Sequence, residues 1–305
     1  MSRWSVIGSG VAGLCVATAL MEQGETLEVI IDPDTPAASR LAGGMLAPYC
    51  ETESAPDAVR TAGRNSVQWW AEHVSQVAHA GTLVLAPARD SMELQRFARM
   101  TQNHEWVVPS VVEPALEDRF AHGLFFADEG HLDPRRALAE LRAALVAYGV
   151  EFRSGAARGQ IIDCRGMAAA DQLQGLRAVR GEMVIVRSKE IALSRPIRLL
   201  HPRFPCYLVP RADGYFMLGA TMVESDDYSP ISARALMELL GSAYAIHPAF
   251  AEARVVETGT GLRPAFADNL PAIHYQDGIF YVNGMYRHGF LLAPVMANKL
   301  IQRLQ

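Results

Sequence analysis

Hydrophobic positions along the chain change period repeatedly, and each change predicts an element. Trp4 to Ile7 is a short apolar run that reads as a buried strand, and Gly8-Ser-Gly10-Val-Ala-Gly13 follows at once. Val11, Leu14, Cys15, Thr18 and Ala19 then recur at helical spacing until Gly24 supplies a stop. Leu27 to Ile31 predicts a second strand, ending on Asp32. Val67, Trp70, Ala71, Val74, Val77 and Ala78 form one apolar stripe, predicting a helix that Gly81 ends. A strand is expected at Thr82–Leu85 and a helix around Leu94, Phe97 and Ala98. Asp133-Pro134 reads as a helix start, a cap followed by a proline, leading into Leu138, Leu141 and Leu145.

After Gly149 the pattern shortens to two strands, Val150 to Arg153 and Gln160 to Cys164. A β-rich stretch follows, with strands at Glu182–Val186, Tyr207–Arg211 and Tyr215–Met222, the last two joined by the turn dipeptide Asp213-Gly214. A helix is expected near Ser232–Tyr244, strands near Val255–Gly259 and Ile279–Val282, and a closing helix from about Leu292 to Leu304. The fold class is therefore α/β: a Rossmann-type nucleotide-binding domain interleaved with a mainly antiparallel β domain. Segments 1–48, 134–176 and 261–305 are assigned to the first, and 49–133 and 177–260 to the second. The Trp69-Trp70 helix and the scattered Met and Phe positions read as core.

Composition narrows the class. Of 305 residues, half are hydrophobic and a fifth charged, which excludes disorder. The net charge of −5, from 28 basic and 33 acidic residues, gives no reason to expect nucleic acid or an anionic membrane as partner. No apolar run approaches the roughly 18 residues that span a bilayer, and the N-terminus lacks a signal-peptide profile, so a cytoplasmic protein is expected. Cys15, Cys50, Cys164 and Cys206 form no CxxC pair, and His131, His201 and His247 have no partner at ligand spacing, so no metal is assigned.

The opening βαβ unit carries the clearest chemistry. In a GxGxxG turn the three glycines allow a tight bend, close approach to a pyrophosphate, and close packing of helix on strand. The helix N-terminus offers free N–H groups and a positive dipole end to phosphates. Asp32 would accept from an adenosine ribose and repel a 2′-phosphate. The fingerprint alone does not separate FAD from NAD.

Three further segments identify a resemblance: Ala42-Gly-Gly-Met-Leu-Ala-Pro48; Cys206-Tyr-Leu-Val-Pro-Arg211 with Gly219-Ala-Thr-Met222; and Gly261-Leu-Arg-Pro264 with Gly284-Met-Tyr-Arg-His-Gly-Phe-Leu-Leu-Ala-Pro294. With the N-terminal fingerprint they resemble the D-amino acid oxidase family of flavoproteins, and most nearly the glycine oxidases of bacterial thiamine biosynthesis. The resemblance covers nearly the whole chain. It implies non-covalent FAD, oxidation of glycine, sarcosine or a small D-amino acid to its imine, and reoxidation by oxygen with release of peroxide. It also implies hand-over of the imine to thiazole synthase and a homo-oligomer. Related sarcosine oxidases attach flavin to a cysteine in the C-terminal third; here no cysteine follows Cys206.

The resemblance assigns Gly8, Gly10, Val11, Ala12 and Gly13 to the pyrophosphate, and Asp32 with Pro33 to the adenosine ribose. It places Ala38, Ser39, Gly43, Gly44 and Met45 beneath the flavin. Gly284, Met285, Tyr286, Arg287, His288, Gly289, Phe290, Leu291 and Leu292 fall at the flavin's pyrimidine edge. Tyr207, Arg263 and Arg287 match contacts to the substrate carboxylate, with Met222 beside them. Where relatives carry a Gly-Ala-Trp-Ser type stretch, this chain has Ile162-Asp-Cys-Arg-Gly-Met167, keeping only Gly166, and it is short between Gly155 and Gln160. An adenine-side contact is therefore placed near Ala157.

For such a site the substrate carboxylate must be anchored and the α-hydrogen aimed, and a guanidinium fork on Arg263 suits the first task. The helix opening at Gly289 to Leu292 would stabilise charge gained by a reduced flavin. Two alternatives remain open: a D-amino acid dehydrogenase feeding a quinone, and a catalytically silent flavoprotein acting as a binding partner.

Overall fold

The computed structural model describes residues 3–32, 37–201 and 205–305. Six short strands form one sheet in the order Ala272–Gln276, Ile279–Asn283, Gln160–Asp163, Trp4–Ile7, Leu27–Ile30, Glu151–Arg153. Its neighbours run parallel except the first two, a hairpin turned at Asp277-Gly278 with positive φ at both residues. That outer strand is missing from the sequence reading, although Asp277-Gly278 is the same turn signal as Asp213-Gly214.

On one face of this sheet Trp4, Val6, Leu27, Val29 and Ile162 pack beneath helices Val11–Glu22, Pro134–Tyr148 and Gly289–Leu304. Helix Pro134–Tyr148 begins where expected, with Asp133 Oδ1 accepting from the amides of Arg135 and Arg136 at 2.8 and 3.3 Å. It ends at Gly149 in the left-handed region. On the other face Ser5 and Glu28 stand side by side, both buried. The short 154–159 connection crosses this face: the Arg158 amide donates to Glu28 Oε1 at 2.8 Å and the Gly159 amide to Ser5 Oγ at 2.8 Å. Arg153 Nε completes the cluster on Glu28 Oε2 at 2.7 Å.

A second, nine-stranded and mainly antiparallel sheet runs Val223–Glu224, Arg177–Arg187, Tyr215–Gly219, Cys206–Pro210, Ile197–Leu199, Thr82–Leu85, Gly123–Phe126, Glu105–Val107, with Arg254–Ala265 paired to Arg177–Arg187. Helix Ala233–Ile246 covers it, burying Leu239, Ala243 and Ile246 against Val184, Leu208 and Leu218. The long pair Arg177–Arg187 and Arg254–Ala265 reaches toward the first sheet, in a register that sets Gly181 opposite Gly261 and Val179 opposite Arg263. A segment boundary at 261 thus falls inside a strand.

Residues Val77 and Ala78 depart from the sequence reading. The helix spans Ser66–His73, and Val77–Ala78 is instead a strand in a three-stranded sheet with Gly130–Leu132 and Met45–Leu46. Glu140 captures both the amide and the hydroxyl of Ser75, at 2.6 and 2.9 Å, and Val74 is already extended, so the helix cannot continue. Val67 and Trp70 of this helix pack into the nucleotide-side core, and Trp70 Nε1 donates to Phe290 O at 2.7 Å. The strand beginning at Tyr215 stops at Gly219, and the closing helix starts at Gly289, three residues before Leu292. Among the described residues no helix is long and apolar enough to cross a membrane.

Candidate active site

A cavity of about 310 Å³ lies between the two sheets, at the C-terminal ends of the parallel strands, where Ile7, Ile30 and Val282 line it. Open α/β sheets place ligands at that edge. At one end are Gly8, Gly10, Val11 and Ala12, with Asp32, Ala38 and Ser39. Gly10, at the N-cap of helix Val11–Glu22, has no side chain to cap it, and the first turn holds no acid, so the positive end of the helix faces the cavity. Ser39 Oγ accepts from the Val11 amide at 3.1 Å. Gly8 adopts φ +104, and a Cβ there would stand 2.8 Å from the Cys164 carbonyl oxygen. Gly13 does not line the cavity; a Cβ on it would overlap the Gly8 carbonyl, so it serves the contact of helix with strand.

Along the middle run Gly43, Gly44, Met45, Gly166 and Met285 to Leu291. Arg211 fixes one wall by donating to the carbonyls of Leu132, Gly43 and Ala42 at 2.5, 2.7 and 3.4 Å. Gly284 and Leu292 lie outside the lining: Gly284 is a left-handed turn residue under Phe266, and Leu292 packs with Val59 and Leu291. Ala157 is also outside it, in the connection tied down by Glu28. Pro33 lies outside the described residues.

At the far end the lining includes Tyr207, Met222, Arg263 and Arg287. Arg263 is held diagonally across Gly181, and its Nη1 donates to Thr221 O at 3.0 Å. Among the described residues it has no carboxylate partner, and burial lowers its pKa from the usual arginine value, partly offset by Tyr207. Burial raises the Tyr207 phenol, with Arg263 opposing, so it stays a neutral O–H donor.

Arg287 is engaged elsewhere. It donates through Nε and Nη2 to Glu51 Oε2 at 2.9 and 2.5 Å and to Ser54 Oγ at 2.6 Å, while Nη1 lies 3.5 Å from Met222 Sδ. Burial disfavours the Glu51 anion, but Arg287, His288 and Arg198 together outweigh it and hold the carboxyl down to about 2. Glu51 in turn raises Arg287. Burial pushes His288 down to about 4, so it is neutral at pH 7 although its Nδ1 is 3.5 Å from Glu51.

Glu51 was not singled out from the sequence, and neither was Arg198, which lines the cavity and pairs with Glu53 at 3.2 Å. In the run Cys50-Glu-Thr-Glu53 no local pattern separates an acid that lines a cavity from one that does not. Behind them Glu129 Oε1 accepts from the Tyr49 and Cys50 amides at 2.9 and 2.7 Å, fixing the turn that presents Glu51.

Comparison with known proteins decides the family. The model of the DAO family, FAD dependent oxidoreductase, matches residues 3–303. The chain belongs to this family of FAD-dependent oxidoreductases. It is 51% identical over 314 residues to the "Putative thiamine biosynthesis oxidoreductase ThiO" of Rhizobium etli, covering 99% of this chain and 96% of that one. It is 28% identical to the bifunctional protein ThiO/ThiG of Synechocystis, covering 96% of this chain and half of that protein. The glycine oxidase of Bacillus cereus superposes with a TM-score of 0.83 at 20% identity, covering 98% and 96% of the two chains, which shows the same fold.

The cofactor of this family is FAD, and the residues present fit one. An uncapped helix N-terminus, an acid beyond the second strand and a side-chain-free floor at Gly8 and Gly10 are the features a dinucleotide needs. Opening the Gly289–Leu304 helix on the same cavity adds a second positive dipole end toward the arginines.

Proposed function

We propose that this protein is an FAD-dependent glycine oxidase serving thiamine biosynthesis, with some action on sarcosine or small D-amino acids. The overall change is glycine plus O2 to the imine dehydroglycine plus H2O2, two hydrogens leaving the substrate and both ending on peroxide. The bound flavin would supply the two-electron acceptor for the α-hydrogen. The observation that carries the reading is Arg263: a half-buried guanidinium in the cavity wall, seated in the space Gly181 leaves, with no carboxylate among the described residues to satisfy it. A small carboxylate on the substrate completes that site, through a fork of N–H donors.

In this reading Tyr207 adds a directional O–H to the same carboxylate, and Met222 narrows the entrance beside it. Gly8, Gly10, Val11, Ala12 and Asp32 would hold the pyrophosphate and ribose; Ala38, Ser39, Gly43, Gly44, Met45 and Gly166 would line the cofactor's path; and Met285 to Leu291 its pyrimidine edge. With the carboxylate anchored, orientation of the α-carbon supplies much of the barrier reduction. The Rhizobium relative's name supports the pathway, and the Synechocystis protein, twice this chain's length, supports hand-over of the imine to a thiazole synthase.

The test is a visible spectrum of the purified protein, followed by anaerobic glycine and then air. Bleaching by glycine, with recovery and peroxide on aeration, is the expected result. Bleaching that recovers only with a quinone moves the protein to the dehydrogenases, and no bleaching by any small amine removes the amine-oxidase reading. Arg263→Ala is expected to raise KM for glycine steeply with an unchanged flavin spectrum.

A further inference from the structure

The far end of the cavity holds more arginine than a single carboxylate requires, and one acid decides how much of it a substrate meets. Arg263, Arg287 and Arg198 all line this end. Arg198 is committed to Glu53 and approaches Glu51 at 4.0 Å. Arg287 is committed to Glu51 by two N–H donors, and Ser54 Oγ steadies the pair. Glu51 itself lines the cavity, on a turn whose amides Glu129 holds in place. Arg263 alone of the three makes no ion pair with a described residue.

We propose that Glu51 is a specificity-determining residue: by occupying Arg287 it limits the substrate to one carboxylate and turns away amines that carry a second acidic group. The inference rests on Arg263 as the carboxylate anchor. A monocarboxylate brings one negative charge to one unpaired guanidinium. A dicarboxylate brings its second negative charge up to the Glu51 carboxylate, in a half-buried site where like charges are screened less than in open solvent. The second charge can be satisfied only by displacing Glu51 from Arg287, which breaks a half-buried pair and leaves a carboxylate without its partner. Discrimination thus comes from a repulsive element placed beside the attractive one. Without the Glu51 charge the same wall would present two guanidinium forks, the arrangement for a dicarboxylic amine such as iminodiacetate, which is glycine with a second carboxymethyl group on nitrogen.

The flavin-loaded protein is titrated with acetate and with malonate, each followed by its perturbation of the visible flavin band. Wild type is expected to bind acetate at least about tenfold more tightly, and Glu51→Gln to reverse the preference by about tenfold or more. Iminodiacetate should then bleach the Glu51→Gln flavin anaerobically where it leaves wild type oxidised. Glu51→Asp, which keeps the charge, should keep the wild-type order; a reversal there as well would assign the effect to shape and overturn the proposal. Ser54 is exposed, so Ser54→Ala keeps the fold and, by loosening the pair, should shift the ratio toward malonate by a few-fold. An unchanged acetate-to-malonate ratio in Glu51→Gln overturns the proposal, and if that variant holds no flavin, an unchanged ratio in Ser54→Ala does so. Wild type that binds neither acid and is not bleached by glycine removes the amino-acid site itself, and this inference with it.

Discussion

Gly181 makes the room in which the Arg263 guanidinium lies. The two residues sit on neighbouring antiparallel strands, one diagonal step apart, and a Cβ built on Gly181 would overlap the Nη and Cζ atoms of Arg263. The arginine is also held at Nη1 by the Thr221 carbonyl, so it has one seat and cannot shift without losing it. Gly181→Ala is therefore expected to displace the anchor while leaving the strand ladder paired. Loss of about 1 Å of register in a positioning group costs on the order of a hundredfold in rate. Steady-state kinetics should show KM for glycine raised by about tenfold to a hundredfold, with the flavin spectrum unchanged. Normal KM would show that Arg263 tolerates the crowding.

The Gly181–Arg263 contact marks the limit of what the residue pattern conveys. The βαβ unit, the Asp133 cap, the Asp213-Gly214 hairpin and the antiparallel half are all legible, because each rests on local period or on a turn that needs particular residues. Arg263 and Tyr207 could be found through motif context. Gly181, Glu51 and Arg198 could not, since their roles come from register and from partners far away in sequence: Glu51 meets Arg287 across 236 positions. The run from Val67 to Ala78 misled for a related reason. Its apolar spacing is helical, yet Glu140 from another helix captures Ser75 and ends the turn.

Arg211 supports the cofactor wall without touching the carboxylate end. Its guanidinium bonds three backbone carbonyls, those of Leu132, Ala42 and Gly43, and thereby ties the Ala42–Met45 segment to the strand beneath it. Arg211→Met keeps the apolar stem and removes the donors. Each buried carbonyl left unsatisfied costs about 1–3 kcal/mol. The variant should purify with reduced flavin content and a melting temperature lower by several degrees, and added FAD should restore part of both. Full flavin content at wild-type stability would remove Arg211 from this role.

Glu28 does for the opposite face of the nucleotide sheet what a longer connection would do with apolar residues. It is fully buried, it takes Ser5, Arg153 and the Arg158 amide, and the 154–159 connection is pinned through it. Removing one member of a buried, hydrogen-bonded charge cluster typically costs about 3–5 kcal/mol. Glu28→Ala is expected to lose about that much in denaturant unfolding, and proteolysis should cut first near Arg158. Glu28→Gln keeps the acceptor toward Ser5 and the Arg158 amide and should lose less. Equal stability of Glu28→Ala and wild type would show that the connection is held by other contacts.

Glu129 sets a pH dependence of the opposite sign from that of the paired acids. It is buried with two backbone amides on Oε1, and no described side chain neutralises it; burial outweighs those bonds and raises its pKa to about 7. An acid whose folded pKa exceeds its unfolded value of about 4.3 binds more protons in the folded state between the two, so stability falls as pH rises through that window. Across about pH 4.5 to 7 this group alone removes on the order of 3 kcal/mol. Glu51, held low by Arg287, acts the other way, its contribution present above about pH 4.5 and lost as pH falls toward 2. Glu129→Gln keeps an acceptor for the two amides and cannot ionise. Denaturant unfolding at pH 5 and at pH 8 should show the variant losing less stability than wild type over that interval, by about 2–3 kcal/mol. Identical losses would mean that Glu129 titrates as an ordinary carboxylate, with water reaching its second oxygen.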